Sequence, residues 1–150
     1  MTDIGSRAPR RRSGYAWLAT WSRVQLGTLA MVRGRLDDAR ALLDEELAAG
    51  LAAYSTQNVT LSLAAFAQLA FAEGDPERAA LLSGAVEGLR RRAGLGMWPE
   101  PRRGEADLAA QIRQALGADR FDQAYAAGTR LSRREAVATA RAQPTGTQAS

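Results

Sequence analysis

Two acidic clusters are the residues of this chain best suited to acid–base or metal chemistry. They are the pair Asp37-Asp38 and the run Asp44-Glu45-Glu46. Neighbouring carboxylates hold Mg²⁺ or share a proton only when they converge in a pocket shielded from water. Helical periodicity places the pair in a first helical turn, where acids complement the helix dipole. It also places Asp44 four residues after Arg40, the spacing of an ordinary surface ion pair. We therefore expect solvated acidic faces and no catalytic or metal site.

The rest of the composition removes most other site chemistry. The chain has no cysteine, no histidine and no lysine, so all 20 of its basic residues are arginine. Thiolate nucleophiles, Cys/His zinc sites, histidine-based triads and P-loop or Schiff-base lysines are therefore excluded. Arginine stays protonated near neutral pH and does not act as a general base there. Only Asp and Glu remain for proton transfer, and we expect no enzymatic activity and no cofactor.

Arginines clustered around a tryptophan form the best candidate contact surface of this basic chain, whose net charge is +4. The cluster consists of Arg90, Arg91, Arg92, Trp98, Arg102 and Arg103. Arginine next to an aromatic ring suits a nucleic-acid backbone with stacked bases, or an acidic protein surface. The alternative is structural, with the arginines stabilising a helix C-terminus and Trp98 filling a junction between helices. Abundant arginine and alanine without lysine is also typical of a GC-rich genome.

The stretch FAEGDPERAALLSGA, residues 71–85, raises the question whether Gly74-Asp75-Pro76 is a phosphate-binding loop. Such a loop needs several glycines and a free helix N-terminus. Here Gly74 suits the left-handed residue that ends a helix, Asp75 suits an N-cap, and Pro76 suits the first helical position. The carboxylate of Asp75 would occupy the place of the anion. The stretch therefore predicts a tight turn between two helices.

The elements around this turn repeat after 40 residues. Gly34 then corresponds to Gly74, and apolar residues correspond to apolar residues: Leu26 to Phe66, Leu29 to Leu69, Ala39 to Ala79, and Leu42 to Leu82. Alternating strand patterns and β-hairpin turns are missing. The sequence therefore predicts an all-α fold with two helical-hairpin repeats, whose helices cover 15–33, 36–49, 56–73 and 76–93.

A linker and a helical cap are predicted to follow the repeats. The linker is GLGMWPEP, from Gly94 to Pro101, and the cap begins with Leu108, Ile112 and Leu116 on one helical face. Ser132 and Glu135 form a capping box that starts a last helix of about ten residues. The predicted organisation is a disordered Arg-rich segment 1–13, repeats over 14–94, linker and cap over 95–141, and a disordered tail 142–150.

The first predicted helix is apolar around much of its circumference and carries Trp17 and Trp21. These tryptophans either line a concave ligand groove or pack on an upstream repeat. Terminal repeats of helical arrays normally present a polar outer face. We therefore predict that this helix is buried against a protein partner or a second copy of the chain.

Three segments of the chain resemble one family. LAAFAQLAFAEGDPERAALLSGAVEGLRRRAG (63–94) resembles the last helical repeat of large actinobacterial LuxR-type and cyclase-linked ATPase regulators. GRLDDARALLDEEL resembles their preceding unit, and LGADRFDQAYAAGTRLSRREAVATA resembles their C-terminal tail. The resemblance covers roughly residues 15–141 and implies a tetratricopeptide-like fold and a scaffold role. The ATPase, the cyclase and the DNA-reading domain of those regulators have no counterpart here, so it implies a stand-alone or truncated C-terminal piece.

These observations predict a non-enzymatic, tetratricopeptide-like scaffold that binds a protein partner or itself. The alternative is a small Arg-rich protein that binds nucleic acid. The longest apolar run, Leu61–Ala72, is interrupted by Ser62 and Gln68 and falls short of a membrane span. The first residues lack the apolar stretch of a secretory signal. We therefore expect a cytoplasmic protein without a membrane partner.

Overall fold

The computed structural model describes residues 22–95 and 99–142, with residues 99–101 described by their backbone only. Within these ranges the chain forms seven α-helices and no strand, which confirms the all-α prediction. The first helix, α1, covers residues 22–32 of the described part. The others are α2 (Leu36–Ala52), α3 (Thr56–Ala72), α4 (Pro76–Ala93), α5 (Pro99–Leu116), α6 (Ala118–Thr129) and α7 (Arg133–Arg141).

The turns at Gly34 and Gly74 have the same geometry. Both glycines are left-handed, with φ of +78° and +82°. In each turn the glycine N–H donates to the carbonyl three residues back, and the next N–H donates to the carbonyl five residues back, at 2.8–3.1 Å. Asp75 then caps α4 by accepting the Arg78 N–H at 3.1 Å, and Pro76 is the first helical residue. The prediction of a tight turn between two helices at Gly74-Asp75-Pro76 is confirmed.

The turn between α2 and α3 repeats this geometry without a glycine. Tyr54 has φ of +53°, a left-handed conformation that is uncommon for an aromatic residue. The helix before it was predicted to end at residue 49, but it continues through Gly50 to Ala52. A Cβ on Gly50 would lie 3.2 Å from the backbone nitrogen of Val59 in α3. Gly50 is therefore a close contact between two helices and not a helix stop.

The helix α3 is the centre of the core. It packs against α2 on one side and α4 on the other. Its large side chains Phe66 and Leu69 are fully enclosed, together with Leu43 of α2 and Leu82 of α4. The small residues Ala39 and Ala79 have no exposed surface, as expected for residues that let neighbouring helices approach closely.

The crossing of α4 and α6 brings two backbones into contact. A Cβ on Gly84 would lie 3.0 Å from the carbonyl carbon of Tyr125, and one on Gly128 would lie 2.9 Å from that of Leu81. Gly88 is equally close to α6. Ordinary van der Waals contacts of a Cβ begin near 3.4 Å. The three glycines therefore determine how closely α6 lies on α4.

The C-terminal helices agree with the sequence except at their start. α5 begins at Pro99, so the last three residues of the predicted linker are helical. Leu108 and Ile112 are buried as predicted. The capping box is confirmed: Ser132 Oγ accepts the Glu135 N–H at 3.1 Å, and Glu135 accepts the Ser132 N–H at 2.9 Å.

The predicted pair between Arg40 and Asp44 is wrong. Arg40 instead donates to Glu73 of α3 at 2.7 Å and to the carbonyl oxygen of Ala140 in α7 at 3.3 Å. Asp44 accepts from Arg141 at 2.8 Å. Helix packing brings Glu73, at the end of α3, and residues of α7 within reach of these side chains. The Arg141–Asp44 ion pair and the hydrogen bond from Arg40 to Ala140 together fasten α7 to α2.

Candidate partner-binding groove

A groove of adjoining cavities follows α5, bounded by α1 and α3 along two of them and by α4 and α6 along the third. Three adjoining cavities of about 380, 470 and 550 Å³ compose it. The first two share Gly104, and the last two share Ala64. Leu108 of α5 lines all three. We call these adjoining cavities together the α3 groove.

Small residues of α3 create the depth of the groove. Ala64 and Ala65 form part of its floor, between the larger Leu61 and Gln68. Thr28 of α1 donates to Oε1 of Gln68 at 3.3 Å, which ties one wall to the floor. The surface is therefore largely apolar with a few fixed polar groups, which is the usual make-up of a ligand or peptide site.

A buried ion pair joins α4 to α5 within the groove. Arg90 is 6% exposed and donates to both carboxylate oxygens of Glu105 at 2.7 and 2.9 Å. This two-point contact satisfies two charges that would be costly to bury apart. Arg91 and Arg102 line the same cavity, and both are exposed. Arg91 also contacts Glu87 at 3.1 Å. The rim is consequently basic, while the interior pair is neutral.

The predicted arginine cluster is divided between two roles. Arg92 points to the end of α6, where it donates to the carbonyl oxygens of Thr129 and Leu131 at 2.7 Å each. The Thr129 carbonyl is one of the groups that a helix C-terminus leaves without intrahelical partners, and Leu131 follows just after the end of α6. Arg103 is exposed on α5 but does not contribute to the groove lining. The groove thus brings together Arg90, Arg91 and Arg102 of the cluster.

The three tryptophans of the candidate set, Trp17, Trp21 and Trp98, lie outside the described residues. Their predicted contact roles remain predictions.

Tyr125 of α6 is a groove residue that the sequence did not reveal. Its side chain lines the largest cavity and lies near Glu87 and Glu105. Burial, followed by the negative charge of these two glutamates, raises the pKa of the phenol above its ordinary 10.0. At neutral pH the hydroxyl is therefore protonated and available as a hydrogen-bond donor. Only the α4–α6 crossing brings Tyr125 here, and no local pattern signals it.

Two acidic residues of α2, Asp44 and Glu46, form ion pairs, and the expectation of a solvated acidic face is wrong for Glu46. Glu46 is 3% exposed and accepts from Arg23 of α1 at 2.8 Å. Asp44 contacts Arg141, as described above. Across residues 22–95 and 99–142, no three acidic side chains group closely enough to hold a metal ion. No helix in the same ranges has the length and apolarity needed to cross a membrane.

Comparisons of the chain with protein-family models, with curated proteins and with solved structures gave no match.

Proposed function

We propose that this chain is a non-enzymatic, tetratricopeptide-like scaffold that binds a protein partner in the α3 groove. The groove itself carries the proposal, because its three adjoining cavities are open and have more apolar than polar lining, with the exposed Arg91 and Arg102 at one end. The resemblance to the C-terminal region of LuxR-type and cyclase-linked ATPase regulators implies the same scaffold role.

The spacing of the turns supports a repeat architecture. Left-handed residues occur at Gly34, Tyr54, Gly74 and Gly94, at intervals of 20 residues. Helices of 17 or 18 residues fill the intervals after the first turn. Equal helices joined by equal turns stack regularly and produce an extended binding surface. The 40-residue unit is longer than the roughly 34 residues of a standard tetratricopeptide repeat because the helices themselves are longer.

The chemistry of the groove favours an amphipathic helix as the ligand. Apolar side chains of such a helix would pack against the floor around Ala64 and Leu108. Its polar edge would meet Gln68 and the hydroxyl of Tyr125, and acidic residues near one end would meet Arg91 and Arg102. The proposed partner therefore presents a helix with an apolar stripe and an acidic end.

Nucleic-acid binding, the alternative from the sequence, has less support. The guanidinium groups of Arg90 and Arg92 have partners inside the chain. Arg91, Arg102 and Arg103 remain exposed. Binding to a phosphate backbone strengthens with the number of phosphates that basic side chains neutralise, and the internal contacts of Arg90 and Arg92 leave fewer of the cluster's arginines for it.

The test is a selection of helical peptides from a displayed random library against the folded chain. The affinity of the selected peptides is then measured for two variants of the chain. Ala64→Arg fills the centre of the groove, and Ala126→Arg is a matched change on an exposed face of α6. Ala64 is partly exposed, so the new side chain can extend into solvent. In parallel, labelled single- and double-stranded DNA and RNA are titrated at low ionic strength.

The expected result is that peptides bind the original chain and Ala126→Arg but not Ala64→Arg. Peptides that bind all three proteins alike would overturn the groove proposal. Salt-dependent nucleic-acid binding that falls when Arg102 and Arg103 are changed to Gln would instead favour the alternative function.

A further inference from the structure

A second apolar surface lies on the opposite side of α1, between α1 and α2. Leu26 and Leu29 are 54% and 44% exposed there, although both are large apolar residues. They line a cavity of about 490 Å³ together with the partly buried Leu42 of α2. None of these three residues lines the α3 groove. We call this surface the α1–α2 face.

The corresponding surface forty residues later is covered by another helix. Phe66 and Leu69 of α3 correspond to Leu26 and Leu29, and they are only 2% and 0% exposed. Both α2 and α7 pack on α3 there, and the guanidinium of Arg40, which also donates to Ala140 of α7, lies 5.9 Å from the centre of the Phe66 ring. The α1–α2 face therefore has the residue pattern of a helix-packing surface, but no helix among residues 22–95 and 99–142 covers it as α2 and α7 cover α3.

The charges around this face are self-complementary. Arg33 and Arg35 line it beside the α1–α2 turn, and Asp38 and Glu45 line it along α2. Two positive and two negative side chains give a net charge of zero, in a chain whose net charge is +4. Glu45 lies ten residues from Arg35 along α2, which is about 15 Å. An antiparallel two-fold arrangement would thus bring the arginines of one copy to Glu45 of the other.

We infer that the α1–α2 face binds a second copy of this chain in a two-fold symmetric dimer. Leu26 and Leu29 of both copies form its apolar centre, and the rim charges pair across the two-fold axis. The inference is independent of the α3 groove, which stays open in such a dimer. A foreign partner would have to match a neutral surface with alternating charge, whereas a second copy matches it by symmetry.

The charge pattern allows a reciprocal test by sedimentation velocity over a range of concentrations. An acidic variant carries Arg33→Glu and Arg35→Glu, and a basic variant carries Asp38→Arg and Glu45→Arg. All four residues are exposed, and circular dichroism verifies that both variants keep their helices. Each variant alone should dimerise about tenfold or more weakly than the original chain, because like charges meet across the axis. An equimolar mixture should restore the dimer as a heterodimer.

A crosslinking experiment tests the same geometry without changing charge. The chain has no cysteine, so Leu29→Cys introduces a unique thiol at the face and Ala126→Cys introduces a control thiol on α6. Mild oxidation should convert the first variant, but not the second, to a disulfide-linked dimer. Ala64→Arg, which tests the groove, should dimerise like the original chain.

Three results would overturn the inference. The first is an original chain that stays monomeric at every concentration, which would assign the face to another segment or protein. The second is a mixture of charge variants that fails to associate while both remain folded. The third is equal crosslinking of the two cysteine variants.

Discussion

Replacing Gly84, Gly88 or Gly128 by alanine is expected to destabilise the chain, although alanine is the better helix former. In an unconstrained helix interior each change from glycine to alanine would stabilise the helix by about 1 kcal/mol. Here the added methyl group would meet backbone atoms of the opposing helix, and Gly84 and Gly128 would each place it within 3.0 Å of a carbonyl carbon. Backbone atoms cannot rotate away as a flexible side chain can.

The magnitude follows from the separation that the methyl group requires. The nearest atoms are the carbonyl oxygens of Tyr125 and Leu81, which lie closer than the carbonyl carbons, so an ordinary contact distance needs a shift of about 1 Å or more between α4 and α6. A gap of that size forfeits a quarter to a half of the dispersion energy of each neighbouring contact. Overpacking of this kind typically costs about 1–3 kcal/mol or more. We expect a net loss of about 2 kcal/mol for each variant, after the gain in helix propensity.

Thermal and urea unfolding followed by circular dichroism measure this effect. Gly104→Ala is the matched control, because Gly104 lies within α5 and no atom of a neighbouring element comes within 4 Å of the position that a Cβ would occupy. The control should raise Tm by a few degrees, and Gly84→Ala should lower it by about 6 °C. If Gly84→Ala and Gly128→Ala raise Tm as Gly104→Ala does, then α4 and α6 do not touch backbone to backbone and the reasoning fails.

Three further predictions concern single side chains. Glu105→Gln should lower the free energy of unfolding by roughly 2 kcal/mol in urea titrations, because it leaves the buried Arg90 without a charge partner; an unchanged midpoint would contradict this. Tyr54→Gly should raise Tm, because it relieves a left-handed conformation that costs about 1 kcal/mol in an 86% exposed residue; a lower Tm would show that the ring contributes contacts. Hydrogen bonds from the Ser132 backbone N–H and side chain lower the pKa of Glu135 below 4.5. The stability from this bond is therefore present above the ordinary pKa and is lost as pH falls through the lowered one. Titration of the carboxyl by NMR measures the shift, and Ser132→Ala, which removes the side-chain hydrogen bond but keeps the backbone N–H, should return the pKa only part of the way to 4.5.

Much of the fold could be predicted from the sequence because its signals are local. The turn at Gly74, the cap by Asp75 and the capping box of α7 each involve groups within five residues of one another. Such contacts form whenever the segment is helical, whatever packs around it. Tyr54 and Gly50 are the exceptions. The sequence favoured a stop at the glycine, but close packing of α2 on α3 makes Gly50 an interior helix residue and moves the turn to Tyr54.

The groove and the partners of the arginines were decided by tertiary structure alone. An arginine side chain is long enough to reach several carboxylates, and sequence spacing favours whichever lies one helical turn away. Arg40 pairs instead with Glu73, 33 residues on, and Arg90 with Glu105, 15 residues on, because helix packing brings those carboxylates closer in better geometry. The sequence determined where α2, α3 and α4 begin, the turns at Gly34 and Gly74, and which faces are apolar. Only the packing of the helices determined which of those faces became core and which remained open to a partner. The close α4–α6 crossing and the separation of α1 from α5 are the two features of that packing that decided it.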